Sequence, residues 1–246
     1  MTEQATLYNS VAPLRNVAAL VALVDRVKNR TFSLPGMSVF YGPSGDGKTT
    51  AAVYAGVKFQ AITVQVKSVW TKKALCEAIV QEMGLTPART ISAMVDQISE
   101  YLAMTDKPLL IDEADHLVSR KMIELVRDIY EGSQSPVVLI GEELMPQKLQ
   151  EWERVHGRIV SWVPTVPANL GDVDHLAAIY APGVEMDQDF KKRLLEGSRQ
   201  SIRRICVNLD QVAEFARVHD LERVRVADWG DRSFFTGTAP APRRFA

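Results

Sequence analysis

The chain has 246 residues, 46% hydrophobic and 24% charged, which suits one large globular domain or a domain with a small satellite. Its 29 basic and 30 acidic side chains leave a net charge of −1, so nothing global draws it to nucleic acid and any such binding must come from a local patch. The opening MTEQATLYNS lacks signal-peptide character, and no run of about 18 apolar residues could span a membrane, so a cytoplasmic setting is expected.

In chain order, Leu14 to Lys28 places Leu14, Val17, Val21 and Val24 on one helical face. MSVFYG (Met37–Gly42) reads as a short buried strand whose glycine-rich sequel opens a helix at KTTAAVYAGVKF. AITVQVK (Ala61–Lys67) is the second strand. A helix capped by Thr71 follows, then another over about Ala88–Met104. KPLLIDE is the third strand, and SRKMIELVRDIYEG a helix with Ser119 as N-cap and Gly132 as its stop. SPVVLIG is the fourth strand, then comes a helix to about Val155, and RIVSWV is the fifth strand. Short strands alternating with helices predict an α/β fold, a five-stranded parallel sheet covered on both faces.

After VPTVPAN, where Pro164 and Pro167 punctuate the chain, the remainder reads as all-helical. Its clearest helix carries Ile202, Ile205, Cys206, Leu209, Val212, Ala213 and Ala216 at helical spacing. From Arg199 onward, nine arginines, six acids and no lysine make this part mildly basic. The two cysteines, Cys76 and Cys206, fall on apolar helical faces and read as reduced core residues.

GPSGDGKT, from Gly42 to Thr49, fits the phosphate-loop pattern G-x-x-x-x-G-K-[ST] and sits between a strand and a helix, as that loop must. Glycines let backbone N–H groups turn inward around phosphates, and the helix start adds favourable potential. Gly42, Pro43, Ser44, Gly45, Asp46 and Gly47 would wrap the phosphates of ATP, with Thr50 next in line. Lys48 would reach the β- and γ-phosphates, and the Thr49 hydroxyl would ligate Mg²⁺. PLLIDEADHL supplies the acidic partner. Asp112 would hold Mg²⁺ through water, and Glu113 would polarise the attacking water as general base. Asp115 and His116 read as helix-entry and packing residues.

GPSGDGKTT, LLIDEADHL, VVLIGEELM, ERVHGRIV and SIRRICVNLDQ, in that order, resemble the AAA+ ATPases over about residues 11 to 235. More narrowly, the layout resembles the transposition ATPases of Mu-like phages, which select target DNA for a transposase, and related insertion-element ATPases. The resemblance implies a nucleotide-binding α/β domain over 1–166, a helical lid over 167–236 and a disordered tail over 237–246, with no role evident for Arg243 and Arg244. It implies that Arg158 is an arginine finger reaching the γ-phosphate of a neighbouring subunit, with Arg154 as fallback; the alternative is a surface arginine at a helix end. It also implies that Arg203 contacts nucleotide from the lid, with Arg204 next in line. Arg203 could instead be a flank residue laid along an apolar stripe. One departure stands out: where the family usually has a polar residue after the fourth strand, this chain has Gly141, Glu142 and Glu143. A carboxylate there would repel the γ-phosphate unless turned away or bound to water, so slow hydrolysis or a different water-positioning route is expected.

Thr71 caps a helix whose first residues are Lys72 and Lys73, the wrong sign for a helix start by roughly 0.3–1 kcal/mol each. Ser119 followed by Arg120 and Lys121 repeats the anomaly. The family likeness puts KSVWTKK on the inner surface of an assembled ring or helical filament. There Lys67, Lys72 and Lys73 would meet phosphates of double-stranded DNA, with Trp70 packing on a sugar or a neighbouring loop. Arg120 and Lys121 would add to that surface. The alternative is that all are solvated surface cations. The resulting expectation is a homo-oligomer on duplex DNA that recruits a transposase in a bacterial cytoplasm, without membrane contact. The rivals are a helicase loader or replication initiator, and a nucleotide-switched protein-interaction module with no DNA role.

Overall fold

The computed structural model describes residues 14–31 and 33–239; Arg243, Arg244 and most of the expected tail lie outside them. The chain divides into two units, one of them Asn16–Val166. It begins with α1 (Arg15–Lys28), whose buried face carries Asn16 among Val17, Leu20, Leu23, Val24 and Val27. Then follow β1 (Met37–Tyr41), α2 (Lys48–Phe59), β2 (Ile62–Gln65), α3 (Lys72–Glu82), α4 (Ile91–Thr105) and β3 (Leu109–Asp112). The unit closes with α5 (Asp115–Ser119), α6 (Ile123–Ser133), β4 (Val137–Gly141), α7 (Met145–Gln150), α8 (Glu153–His156) and β5 (Ile159–Pro164).

The five strands form one parallel sheet in the order β2-β3-β4-β1-β5. β3 and β4 are buried throughout, which explains their unbroken LLI and VVLI runs: a strand covered on both faces has no use for alternation. The order has a functional consequence. β4 lies between β1 and β3, so the carboxyl ends of these three strands stand side by side, at the edge where parallel sheets present ligand sites.

Three sequence expectations change. Ser119 does not cap a helix that Arg120 and Lys121 begin. It ends α5, its hydroxyl donating to the His116 carbonyl, and Lys121 takes a left-handed φ of 55° before α6 starts at Ile123. Burial of Met122 and Ile123 sets that start, and the two cations end up just past a helix C-terminus, where their sign is favourable. Gly132 is no stop but an interior residue of α6, where a Cβ would come within 2.8 Å of the Ser99 hydroxyl; Gln134 ends the helix at φ 54°. The helix expected up to Val155 is two short ones, α7 and α8. By contrast, α3 starts as expected: Thr71 accepts from the Ala74 N–H at 3.3 Å, and Lys72 and Lys73 open the helix. Cys76 is fully buried on it, and burial pushes its thiol up to about 11.

The second unit takes in the chain from Pro167 onward together with Arg15. It comprises α9 (Leu170–Tyr180), α10 (Gln188–Gly197), α11 (Ile202–Val218) and α12 (Val226–Trp229). It is not wholly helical, because β6 (Glu185–Met186) and β7 (Arg223–Val224) pair in parallel. Asn169 and Asp172 form a capping box on α9, and Asp172 also accepts from Arg15 Nε at 3.1 Å. Phe190, Phe215, Trp229 and Phe234 nest edge-to-face and stacked. Buried Asn208 accepts from the Phe235 N–H at 2.7 Å and donates to Ser198 Oγ at 2.8 Å, so its polar atoms are satisfied. Among the described residues no helix is long and apolar enough to cross a membrane.

Candidate nucleotide site

The loop from Gly42 to Gly47 joins β1 to α2. Gly45 (φ 95°) and Gly47 (φ 81°) occupy left-handed backbone that side chains resist, which is why glycine stands at both. A Cβ at Gly42 would overlap the Thr165 hydroxyl. That hydroxyl donates to Asp46 Oδ2 at 2.8 Å, so the end of β5 lies under the loop. Asn16 also holds the loop, its Nδ2 donating to the Asp46 carbonyl at 3.0 Å. The same side chain brackets Val166, donating to its carbonyl at 3.0 Å and accepting from its N–H at 2.9 Å. Asn16, Asp46 and Thr165 are all buried. Sequence reasoning missed Asn16 and Thr165; the one available signal was an asparagine on the apolar stripe of α1.

Lys48 opens α2, and its ammonium donates to the carbonyls of Gly42 at 2.7 Å and Pro43 at 2.8 Å. Burial pulls its pKa below the ordinary lysine range, opposed by the carboxylates of Asp46, Asp112, Glu113 and Asp115. Burial likewise raises the Asp46 pKa, against the Thr165 hydrogen bond and the Lys48 charge. An anion entering the loop would therefore meet a cation that sees mostly carboxylates around it.

Asp112 ends β3, buried, with Oδ2 accepting from the Thr49 hydroxyl at 2.8 Å and Oδ1 from the Glu113 N–H at 2.9 Å. A hydroxyl and a carboxylate in contact are hard oxygen donors that suit Mg²⁺. Among the described residues no three His, Cys, Asp or Glu side chains group as a metal site. This pair therefore fits an ion that draws its other ligands from phosphate and water. Glu113 sits half-buried at φ 55°, a conformation that strains a residue with a side chain by about 1–2 kcal/mol. The next N–H, that of Ala114, donates to Ile140 on β4 at 2.9 Å and fixes the turn. Asp115 does more than pack. Its buried carboxylate accepts from the Glu142 N–H at 2.6 Å and from Lys148 Nζ at 3.1 Å. Gly141 has no room for a Cβ, which would overlap Asp115 Oδ2 and Met145 Sδ, while the side chains of Glu142 and Glu143 are exposed.

Residues 30–149 match the family described as AAA domain. No curated protein matches the chain. Among solved structures, the Aeropyrum pernix ORC1 protein in complex with DNA is 19% identical with a TM-score of 0.63, over 87% of this chain and 63% of that one. The ADP form of the Aeropyrum pernix ORC2 protein is 16% identical with a TM-score of 0.58, over 83% of this chain and 64% of that one. The Thermotoga maritima RuvB Holliday junction branch migration motor is 20% identical with a TM-score of 0.59, over 87% and 66%. The chain thus spans a little under two thirds of the length of these relatives, and the likeness establishes the AAA+ P-loop NTPase fold.

Within the residues that match this family, the phosphate loop, Asp112 and Glu113 stand together at one sheet edge.

Of the other expected site residues, those in the first unit lie apart from that edge or on its flank. Arg158 immediately precedes β5, and its carbonyl accepts from Met37 N at the start of β1, the end of the strand remote from the phosphate loop. Its guanidinium pairs with Glu131, half-exposed. Arg154 is exposed on α8. Arg203 is exposed and Arg204 half-buried in the first turn of α11, in the second unit. Lys67, Trp70, Lys72 and Lys73 follow β2, the sheet's edge strand. Trp70 is half-buried against the core with Lys67 Nζ 5.9 Å from its ring centre, and Val69 is the exposed apolar residue of that loop. Lys73 lies 3.6 Å from Glu77, and Lys72 lines a groove with Asp96, Glu124 and Asp128. Part of the charge that seemed missing from this helix start is therefore supplied within the first unit itself. Arg120 and Lys121 are exposed after α5.

Proposed function

We propose that the protein is an ATP-dependent, largely sequence-nonspecific DNA-binding ATPase of DNA transposition. It assembles through its bound ATP into a ring or helical filament on target duplex and recruits a transposase in a bacterial cytoplasm. The observation that carries the assembly step is the position of Arg158. It stands beside Met37, and β1 spans five residues before the phosphate loop, roughly 13 Å of extended chain. Such an arginine serves a nucleotide on a neighbouring copy, not its own. Its pairing with Glu131 then keeps it oriented until a partner's γ-phosphate takes over.

In this reading Lys48 binds the β- and γ-phosphates, the loop Gly42–Gly47 with Thr50 cradles them through its backbone N–H groups, and Arg203 serves as a further nucleotide contact. Thr49 and Asp112 hold Mg²⁺, which supplies charge neutralisation of the triphosphate. Glu113, held in its strained turn, takes the proton of the attacking water. Lys67, Lys72 and Lys73, with Trp70, Arg120 and Lys121, contact DNA phosphates and sugars without reading bases. Hydrolysis is slow, because the end of β4 offers exposed carboxylates rather than a neutral polar side chain, and turnover well above the enzyme median of about 10 s⁻¹ would contradict this.

A second reading drops DNA: the carboxylates beside Lys72 and Lys73 favour a nucleotide-switched protein-interaction ATPase. Electron microscopy of the protein with ATP, with and without duplex DNA, separates the two. Filaments or rings formed on duplex support the transposition reading, and assemblies indifferent to DNA refute it.

A further inference from the structure

The end of β4 lies between the phosphate loop and the Asp112–Glu113 turn and is bonded to both. The Gly42 N–H donates to the Gly141 carbonyl at 3.3 Å, and the Ala114 N–H to the Ile140 carbonyl at 2.9 Å. Any group bound by both the loop and Glu113 lies close to this point. Carboxylates gather here: Asp112 meets the Thr49 hydroxyl beside Lys48, Asp46 lies in the loop against Thr165, and Asp115 is held at the end of β4 by the Glu142 N–H. The Lys48 ammonium is already engaged with two loop carbonyls. A triphosphate adds further negative charge to an acidic site, so its terminal phosphate gains from a further cation of the same chain beside Lys48, in addition to the proposed Mg²⁺ and the neighbouring copy's arginine.

One other ammonium is anchored at this point. Lys148 on α7 reaches back to Asp115 Oδ1 at 3.1 Å, while the Glu142 N–H takes Asp115 Oδ2 at 2.6 Å. The carboxylate is nearly buried and the lysine side chain is 42% exposed, so the contact is a weak, exchangeable one. The glycine at 141 is required by the same arrangement, because a side chain there would displace Asp115 and Met145. The neighbouring side chains, Glu142 and Glu143, have the wrong sign for a phosphate.

We propose that Lys148 is a residue by which a single subunit distinguishes a nucleoside triphosphate from a diphosphate, alongside the contacts that Lys48 and a neighbouring copy's Arg158 make to the same phosphate. Without nucleotide it is parked on Asp115; with a terminal phosphate between the loop and Glu113 it exchanges the carboxylate for the phosphate. Asp115 is then a positioning residue, holding the ammonium within reach and in the right direction. The inference rests on the nucleotide reading above and names a side chain that reads the γ-phosphate.

The test is equilibrium binding of fluorescent ATPγS and fluorescent ADP, with Mg²⁺, to the full chain and to its Lys148→Met and Lys148→Arg variants. A charge-assisted hydrogen bond lost from the terminal phosphate lowers triphosphate affinity by about tenfold or more. Lys148→Met is expected to show that loss, with diphosphate affinity within about twofold of the parent. Lys148→Arg restores the preference. A structural role for α7 would weaken both nucleotides alike. Equal weakening, or an unchanged triphosphate-to-diphosphate ratio in Lys148→Met, overturns the assignment while leaving the nucleotide site standing. Failure of the parent protein to bind either nucleotide overturns both.

Discussion

Replacing Asn16 with alanine removes three hydrogen bonds from a side chain that is 6% exposed. The Asp46 carbonyl, on a buried residue of the phosphate loop, loses its Asn16 donor, at about 1–3 kcal/mol for an unsatisfied buried group. Val166 is 38% exposed, so water takes over there and the loss is smaller. Together these give roughly 3 kcal/mol. At 2–4 °C per kcal/mol for a domain of this size, the melting temperature falls by about 6–12 °C. The loop is then held by Thr165 alone and occupies its bound shape for only part of the time, so apparent nucleotide affinity falls several-fold, in proportion to the time spent out of that shape. Circular dichroism melting of the full chain, with nucleotide binding measured on the same samples, checks both. A fall below about 2 °C with unchanged affinity would refute the view that Asn16 pins the loop.

Glu113→Gln should retain ATP binding and lower turnover by about 10²–10⁴-fold, leaving long-lived assemblies; a variant that cannot assemble refutes a role for hydrolysis in disassembly. Lys72→Ala with Lys73→Ala should reduce the salt slope of duplex binding by about 0.9 for each DNA phosphate no longer neutralised, with ATP binding intact, and an unchanged slope removes these lysines from the DNA surface. Burial raises the Asp46 pKa, so the folded chain holds that proton more tightly than the unfolded chain. Stability from this group is therefore greatest at acid pH and is lost as pH rises from the unfolded value through the folded one. Asp46→Asn should gain stability relative to the parent across that window, measured by urea unfolding at about pH 4 and about pH 7. A pH-independent difference between the two proteins contradicts this.

The phosphate loop was legible because its requirements are local. Gly45 and Gly47 must adopt left-handed backbone, and Lys48 and Thr49 must follow them into a helix, all within eight residues of chain. The same holds for Thr71, whose hydroxyl bonds only three residues ahead. Ser119 shows where local reading stops. Its sequence allowed a helix start, but the burial of Met122 and Ile123 against the core moved that start and turned two supposedly misplaced cations into ordinary ones. The surroundings of Lys72 were hidden for a similar reason, since Asp96, Glu124 and Asp128 come from two other helices.

The sequence by itself determined the strand–loop–helix that carries the phosphate motif, the acidic end of β3 and the parallel alternation around them, because each follows from short-range backbone geometry and hydrophobic period. Only the tertiary structure decided how that motif is held. Thr165 reaches Asp46 across 119 residues, Asn16 reaches Val166 across 150, and Lys148 meets Asp115 across 33. No spacing rule marks such pairs, because it is the strand order β3-β4-β1-β5 that brings their ends together.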